Sequence, residues 1–126
     1  MIYTVIMNRQ WNIELYTKDN DECPVLDFIQ SLPAKHQAKV EREIDLLQDF
    51  GINLTYPHTQ KMEGDKYKGL WELRIKFASD ISRIFYFLHV DDTYVLLNGF
   101  VKKTTKPPKK ELDKAIQYKN DFLTRR

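Results

Sequence analysis

The sequence predicts an α+β fold, a single domain over residues 1–126 with the element order β-α-α-β-β-β-α. Three observations predict it: an alternating strand near the start, two amphipathic helical segments between residues 24 and 50, and three closely spaced strands between residues 71 and 100 before a last helix. Short polar turns join the three strands. We therefore expect an antiparallel, twisted sheet with a helical hairpin and a C-terminal helix packed on it.

The first half of the chain supplies one strand and the helical hairpin. Residues 11–17 alternate apolar and polar side chains, as a strand does. Residues 1–7 are apolar, and their sequence does not decide whether they form a preceding strand. Pro24 begins a short helix, and Pro33 separates it from a second that runs to about Phe50. The apolar stripes of the two helices comprise Val25, Phe28, Ile29 and Leu32, and then Val40, Ile44 and Leu47. Gly51 ends the second helix.

The second half supplies the sheet. Residues 52–70 are predicted to be irregular because proline and glycine interrupt them. Residues 71–77 alternate strictly, residues 82–89 are apolar almost throughout, and residues 94–100 follow a turn at Asp91–Asp92. On the first of these strands, alternation places Trp71, Leu73, Ile75 and Phe77 on one face, and Glu72, Arg74 and Lys76 on the other, polar face. The last helix is expected to begin at Pro107 and Pro108, with Thr104 or Thr105 as its cap.

Composition excludes several classes of function. One cysteine, Cys23, allows no internal disulfide and fits a reducing compartment. No zinc pattern, no GxGxxG, no Walker loop and no GxSxG elbow is present, so we expect neither a metal nor another cofactor. No segment has the length and apolarity of a membrane span, and residues 1–7 lack the flanks of a signal sequence, so we expect a cytoplasmic protein.

Charge is distributed unevenly along the chain. Residues 1–50 carry five Lys or Arg against nine Asp or Glu, whereas residues 101–126 carry nine against three. A basic end on a nearly neutral protein favours a local anion site. A solvated, lysine-rich helix would give the same pattern.

Cations cluster on the predicted sheet and at its exit. They are Arg74, Lys76, Arg83, Lys102, Lys103 and Lys106. In an antiparallel meander these side chains converge near one face and edge of the sheet. Guanidinium groups bind phosphate oxygens bidentately and stabilise the charge that builds on phosphorus during attack. Because RNA carries its own nucleophile, the 2′-hydroxyl, its cleavage needs neither a metal nor a protein nucleophile.

Plainer interpretations of the same cations stay open. Arg74 could pair with Glu72 or Glu63, Arg83 could be an ordinary polar strand end, and the lysines of residues 102–110 could be solvated.

Two further residues could transfer protons. Tyr86 is a candidate proton donor or stacking platform, but its parity along the strand places it on the opposite face from Arg83. His58, in a Tyr-Pro-His loop, is a candidate general base.

Four segments in this order resemble the phage Gp49-like, HigB-type toxins of the RelE/ParE superfamily. They are PVLDFIQSLP (24–33), GLWELRIKF (69–77), RIFYF (83–87) and LLNGFVKKTTKPPKKEL (96–112). The resemblance implies a toxin that cleaves mRNA in the ribosomal A site without a metal. It also implies a HigA-like helix-turn-helix antitoxin that silences the toxin and binds operator DNA.

The resemblance also assigns residues. It implies that Arg83 is the catalytic strand arginine, Arg74 the basic residue of the preceding strand, and Lys102 or Lys103 the cation after the last strand. We expect the catalytic set to be Arg83, Arg74, Lys102 and Tyr86, and the RNA-binding set to be Lys76, Lys103, Lys106 and Lys68. Pro107 and Pro108 stand where RelE has a catalytic tyrosine, so the general base stays open between Tyr86, His58 and a lysine of lowered pKa.

Two other functions remain as alternatives. A ParE-like toxin of the same fold would poison DNA gyrase and cut no RNA. A phage accessory protein would only contact nucleic acid through its basic end, with a steep salt dependence.

Overall fold

The computed structural model describes residues 11–90, 92–102 and 108–125, with Lys102 described by its backbone alone. It confirms the α+β fold. The strands are β1 (Asn12–Leu15), β2 (Thr59–Lys61), β3 (Trp71–Phe77), β4 (Asp80–His89) and β5 (Thr93–Lys102). The helices are α1 (Pro24–Gln30), α2 (Ala34–Phe50) and α3 (Lys109–Thr124). The 3₁₀ turns Gly51–Asn53 and Asp65–Tyr67 flank β2.

The five strands form one sheet in the order β1-β5-β4-β3-β2. The antiparallel meander β3-β4-β5 is confirmed. The sheet is mixed, however, because β1 runs parallel to β5. The chain between these two strands contains α1, α2, β2, β3 and β4. The segment 52–70 also contains a strand that its sequence does not predict. Strand β2 has three residues, too few to show an alternating pattern, and it pairs with β3.

Two hydrophobic cores lie on the two faces of the sheet. Between α1, α2 and one face, the buried residues include Val25, Val40, Leu47, Leu73, Ile84 and Leu96. Between α3 and the other face, they include Phe85, Phe87, Val95, Leu97, Ala115 and Phe122. Strand β4 is therefore covered on both sides, as its nearly continuous apolar sequence predicts.

The predicted polar face of β3 is only partly a solvent face. Glu72 is 1% exposed and the side chain of Arg74 is 15% exposed, whereas Lys76 on the same face is exposed. Alternation along β3 gave the correct face for each side chain, but it did not reveal that the polar face is buried at Glu72 or that Trp71 on the other face is exposed.

Proline and glycine set the element boundaries. Pro24 is the first residue of α1, and Pro33 directly precedes α2. Gly51 ends α2 at φ +50°, and a Cβ there would lie 2.3 Å from the Trp11 ring, so the position requires glycine. Helix α3 begins at Lys109, with Pro108 as its N-cap.

Other sequence predictions fall outside the described residues: those on residues 1–7, Asp91, Lys103, Thr104, Thr105, Lys106 and Pro107. In the ranges that are described, no helix is long and apolar enough to cross a bilayer.

Candidate functional site

The predicted cations come from neighbouring strands. Arg74 on β3 lies directly opposite Arg83 on β4, and Lys76 lies opposite Ile81. The backbone of Lys102 on β5 pairs with the same Ile81. Cross-strand partners project from the same face of a sheet, so Arg74, Arg83 and Lys76 share the face that α3 covers in part.

Arg83 is fully buried and pairs with Glu72. Its Nη1 donates a hydrogen bond of 2.7 Å to Glu72 Oε1, and Arg74 Nε lies 3.5 Å from the same oxygen. Burial raises the pKa of Glu72, while the hydrogen bond and charge of Arg83 act in the opposite direction. One carboxylate thus holds two arginines side by side. Because Arg83 is 0% exposed, we assign it to the support of Arg74 rather than to substrate contact.

Arg74 is held from three directions. Beyond its ion pair with Glu72, its guanidinium carbon lies 5.1 Å from the centre of the Tyr56 ring, a cation–π contact. Its backbone N–H donates to the carbonyl of His58 at 2.8 Å. The chain before β2 therefore fixes Arg74 at the outer edge of β3.

A pocket of about 440 Å³ opens at this edge, and we call it the β3-edge pocket. Its walls are Lys39, Glu43, Tyr56, Pro57, His58, Arg74, Lys76 and Ile81. Three cations and one carboxylate face it, together with an aromatic ring and an imidazole. Such a site attracts an anion and offers a surface for stacking.

His58 and Glu43 form a pair within this pocket. His58 Nδ1 lies 3.2 Å from both carboxylate oxygens of Glu43. The Glu43 side chain is 8% exposed, whereas that of His58 is 40% exposed. The His58 backbone N–H donates to the Thr55 carbonyl at 2.9 Å. The imidazole is thus anchored by its backbone and oriented by a buried acid, with one edge in solvent.

Tyr86 does not join the predicted set. It lies on the face covered by α1 and α2, 3% exposed and edge-on to Tyr94 at 5.4 Å. Burial raises its pKa well above the usual tyrosine range. Its parity along β4, opposite to that of Arg83, accounts for this placement.

The remaining predicted lysines lie elsewhere or outside the described residues. Lys76 is exposed and lines the β3-edge pocket. Lys68 is exposed after the turn Asp65–Tyr67 and forms no part of that pocket's lining. The Lys102 side chain, Lys103 and Lys106 are outside the described residues.

Sequence reasoning named His58, Arg74 and Lys76 but no other residue of the pocket as a site residue, and it missed the polar side chains of Lys39, Glu43 and Tyr56. Glu43 did carry a signal. It falls at helical spacing with the buried Val40 and Leu47, so a charged residue occupies a core position of α2. Tyr56 and Lys39 gave no such signal, because their role depends on the position of Arg74 and the β3 edge.

The described ranges contain no group of three or more His, Cys, Asp or Glu side chains placed to hold a metal ion. Cys23 is a free, half-buried thiol.

Comparison with known proteins gives a family for the chain. No curated protein matches it significantly. The family described as "Phage derived protein Gp49-like (DUF891)" matches residues 27–120, which run from within α1 to within α3 and include every residue of the β3-edge pocket. The chain therefore belongs to this Gp49-like family, a toxin-like family related to RelE and ParE.

Proposed function

We propose that this chain is the toxin of a type II toxin–antitoxin system, a HigB-type endoribonuclease that cleaves mRNA in the ribosomal A site without a metal. One observation carries the proposal: Arg74 and Lys76 line a single cationic pocket that also holds an aromatic ring and an imidazole. Membership of a toxin-like family supports it. Because mRNA on the ribosome is the substrate, the proposed place of action is the cytoplasm.

The pocket suits a phosphodiester. The terminal nitrogens of Arg74 bind two phosphate oxygens, while Lys76 and Lys39 add positive charge at the rim. The substrate's 2′-hydroxyl attacks phosphorus, and the cations stabilise the charge that develops there. Tyr56 offers a ring for a flanking base. Lys68 and the basic stretch with Lys102, Lys103 and Lys106 are proposed to contact the RNA outside the pocket.

The proposed partner is a HigA-like helix-turn-helix antitoxin. The chain would bind operator DNA only through this antitoxin. Relation to the RelE and ParE toxins supports this pairing. We expect a helix-turn-helix antitoxin to be encoded beside the chain. Its co-production should restore growth to cells that produce the toxin, and an affinity-tagged antitoxin should retain the toxin.

Induced production of the chain in bacterial cells tests the function. We expect growth arrest and transcripts cut at defined positions, mapped by primer extension. Arg74→Ala should relieve both, since loss of one charge-stabilising donor costs about 10²–10³ in rate. Arg125→Ala is the matched control, because Arg125 pairs with Asp121 at the end of α3 and lies outside the pocket.

Two results would overturn the proposal. Broken DNA with intact mRNA would favour a gyrase poison of the same fold. Unimpaired growth at high levels of folded protein, with salt-sensitive RNA binding and no cleavage, would favour an accessory binding protein.

A further inference from the structure

The His58–Glu43 pair gives the β3-edge pocket a group for proton transfer. Glu43 comes from the buried face of α2. His58 comes from the turn before β2, and its backbone carbonyl accepts a hydrogen bond from the backbone N–H of Arg74 on β3. Three separate segments therefore bring one imidazole beside the arginine that would bind phosphate. His36 of α2, by contrast, is buried against Ser82 and Phe77.

The hydrogen bond selects the tautomer of His58. Glu43 presents two carboxylate oxygens to Nδ1, and a carboxylate accepts and does not donate. Nδ1 therefore carries the proton, and Nε2 of the neutral ring keeps its lone pair. With 40% of the side chain exposed, that lone pair is accessible to a bound substrate.

We propose that His58 is the catalytic residue that accepts the proton of the attacking 2′-hydroxyl, and that Glu43 is its positioning residue. This inference rests on the proposed RNA cleavage. Nε2 takes the 2′-hydroxyl proton as the O2′–P bond forms and the P–O5′ bond breaks. The electron pair of that bond stays on O5′, which takes a proton from water. The products are a 2′,3′-cyclic phosphate and a 5′-hydroxyl, and His58 returns its proton to solvent.

The surroundings of His58 fit this role. The negative charge of Glu43 lies beside the imidazolium that forms. The positive charges of Lys39 from α2 and of Arg74 and Lys76 from β3 line the pocket that receives the phosphate. Tyr86 has no access to this pocket, because it is buried on the face of the sheet that α1 and α2 cover.

Single-turnover cleavage of a synthetic mRNA tests the inference, free and in the A site of programmed ribosomes. His58→Ala should cut about 10²–10⁴-fold more slowly than the wild type. His58→Asn, which keeps a donor toward Glu43, should be equally slow if the loss is chemical and not structural. His89→Asn is the matched control, because His89 packs on Phe122 and lies outside the pocket.

A second substrate tests whether His58 acts as a general base or as a general acid. Sulfur in place of the bridging O5′ gives a leaving group that needs no proton, so it should not restore cleavage by His58→Ala. Restoration would overturn the assignment as base. Glu43→Ala should lower kcat about 10–100-fold with KM little changed, and Glu43→Gln should recover part of this loss.

The outcomes distinguish the two proposals. Full cleavage by His58→Ala or His58→Asn alongside an active wild type would overturn the role of His58 and leave the nuclease proposal standing. A folded wild type that cuts neither free nor ribosome-bound mRNA would overturn both.

Discussion

Arg74 and Arg83 differ in burial and not in chemistry, and that difference decides their roles. They face each other across β3 and β4 and share Glu72. The Arg83 side chain is 1% exposed and that of Arg74 is 15% exposed. A guanidinium that binds a phosphate must be accessible to it. The site is therefore better described as Arg74 supported by a buried Glu72–Arg83 pair than as two equivalent catalytic arginines.

At the residue scale, Arg83→Met should destabilise the fold. Removing one partner of a buried ion pair costs about 3–5 kcal/mol, since the other charge stays buried without its main partner. Urea denaturation would measure this change, and any loss of toxicity would follow from unfolding. The double variant Glu72→Met/Arg83→Met should be less destabilised than the sum of the two single variants. Strict additivity would show that the pair does not act as a unit.

Tyr56 should affect substrate binding through Arg74. Tyr56→Ala removes the ring under the guanidinium, worth about 0.5–1 kcal/mol at exposed sites, so KM for mRNA should rise about 2- to 5-fold. Tyr56→Phe keeps the ring and should keep the KM. Steady-state cleavage kinetics compare the two variants, and equal KM values for both would contradict the contact.

The sequence indicated which residues carry charge but not which of them are accessible. Alternation placed Arg74 and Arg83 on one face, and parity placed Tyr86 on the other, as the structure has them. The burial of Arg83 depends on the core that α3 forms on this face of the sheet. Because α3 begins about thirty residues later in the chain, the sequence around Arg83 does not reveal this burial.

At the scale of elements, proline and glycine made the helix boundaries predictable. Proline and glycine restrict or free the backbone locally, so their effect is visible in the sequence. Strand β2 was not predictable, because its three residues are too few to show an alternating pattern and its pairing partner is a separate strand, β3. The sequence therefore named His58 as a candidate but did not place Tyr56 and His58 beside Arg74.

The close approach of α1 to β5 gives a test at this scale. A Cβ at Gly99 would lie 2.4 Å from the Phe28 ring, so Gly99→Ala should push α1 from the sheet. Overpacking of this kind costs about 1–3 kcal/mol of unfolding free energy, measurable by urea denaturation.

The paired control removes the ring. In a Phe28→Ala background, Gly99→Ala should cost much less, because the added methyl then meets no aromatic carbon. The same cost in both backgrounds would show that the contact with Phe28 is not the cause.

At the scale of the whole molecule, two aspartates of α3 make polar contacts with other parts of the chain. Asp113 accepts from Tyr67 and pairs with Lys66 and Lys109. Asp121 accepts from Tyr16 and pairs with Arg125. Hydrogen bonds from Lys109, Lys66 and Tyr67 hold the pKa of Asp113 well below its usual range. The hydrogen bond from Tyr16 lowers the pKa of Asp121.

These shifts predict that stability falls in acid. The pKa of each aspartate is lower in the folded chain than in the unfolded chain, so the unfolded chain binds more protons as the pH falls below about 4. The contribution of both groups is present above that pH and is lost as the pH falls through the folded values. Urea denaturation between pH 5 and 2 should show a smaller pH dependence for Asp113→Asn/Asp121→Asn than for the wild type. An unchanged pH dependence would contradict the two contacts.

The opposite end of the pH range tests the Tyr16 contact. Burial, with the neighbouring Asp121, raises the pKa of Tyr16 to about 12. A raised pKa stabilises the fold below the unfolded value of about 10, and this contribution is lost as the pH rises toward the folded value. Tyr16→Phe should therefore lose less stability than the wild type between pH 9 and 12. An equal loss in both proteins would contradict the shift.

The fold was predictable from the sequence, and the site only in part. The periodicity of apolar residues and the positions of proline and glycine predict the helices and strands, and the element order follows from them. The β3-edge pocket joins Lys39 and Glu43 of α2, the turn at Tyr56–His58, and Arg74 and Lys76 of β3. Only the last pair belonged to the cationic set recognised in the sequence, because the other contacts arise when α2 packs against β3.

The central claim is that the β3-edge pocket cuts RNA at a phosphodiester through the substrate's own 2′-hydroxyl. The most direct measurement is the identity of the ends produced from a synthetic mRNA, with and without a 2′-hydroxyl at the mapped cleavage position. The claim predicts a 2′,3′-cyclic phosphate on the upstream fragment, no cleavage of the 2′-deoxy substrate, and a roughly 100-fold slower reaction for Arg74→Ala. Cleavage of the 2′-deoxy substrate, or wild-type rates for Arg74→Ala, would contradict it.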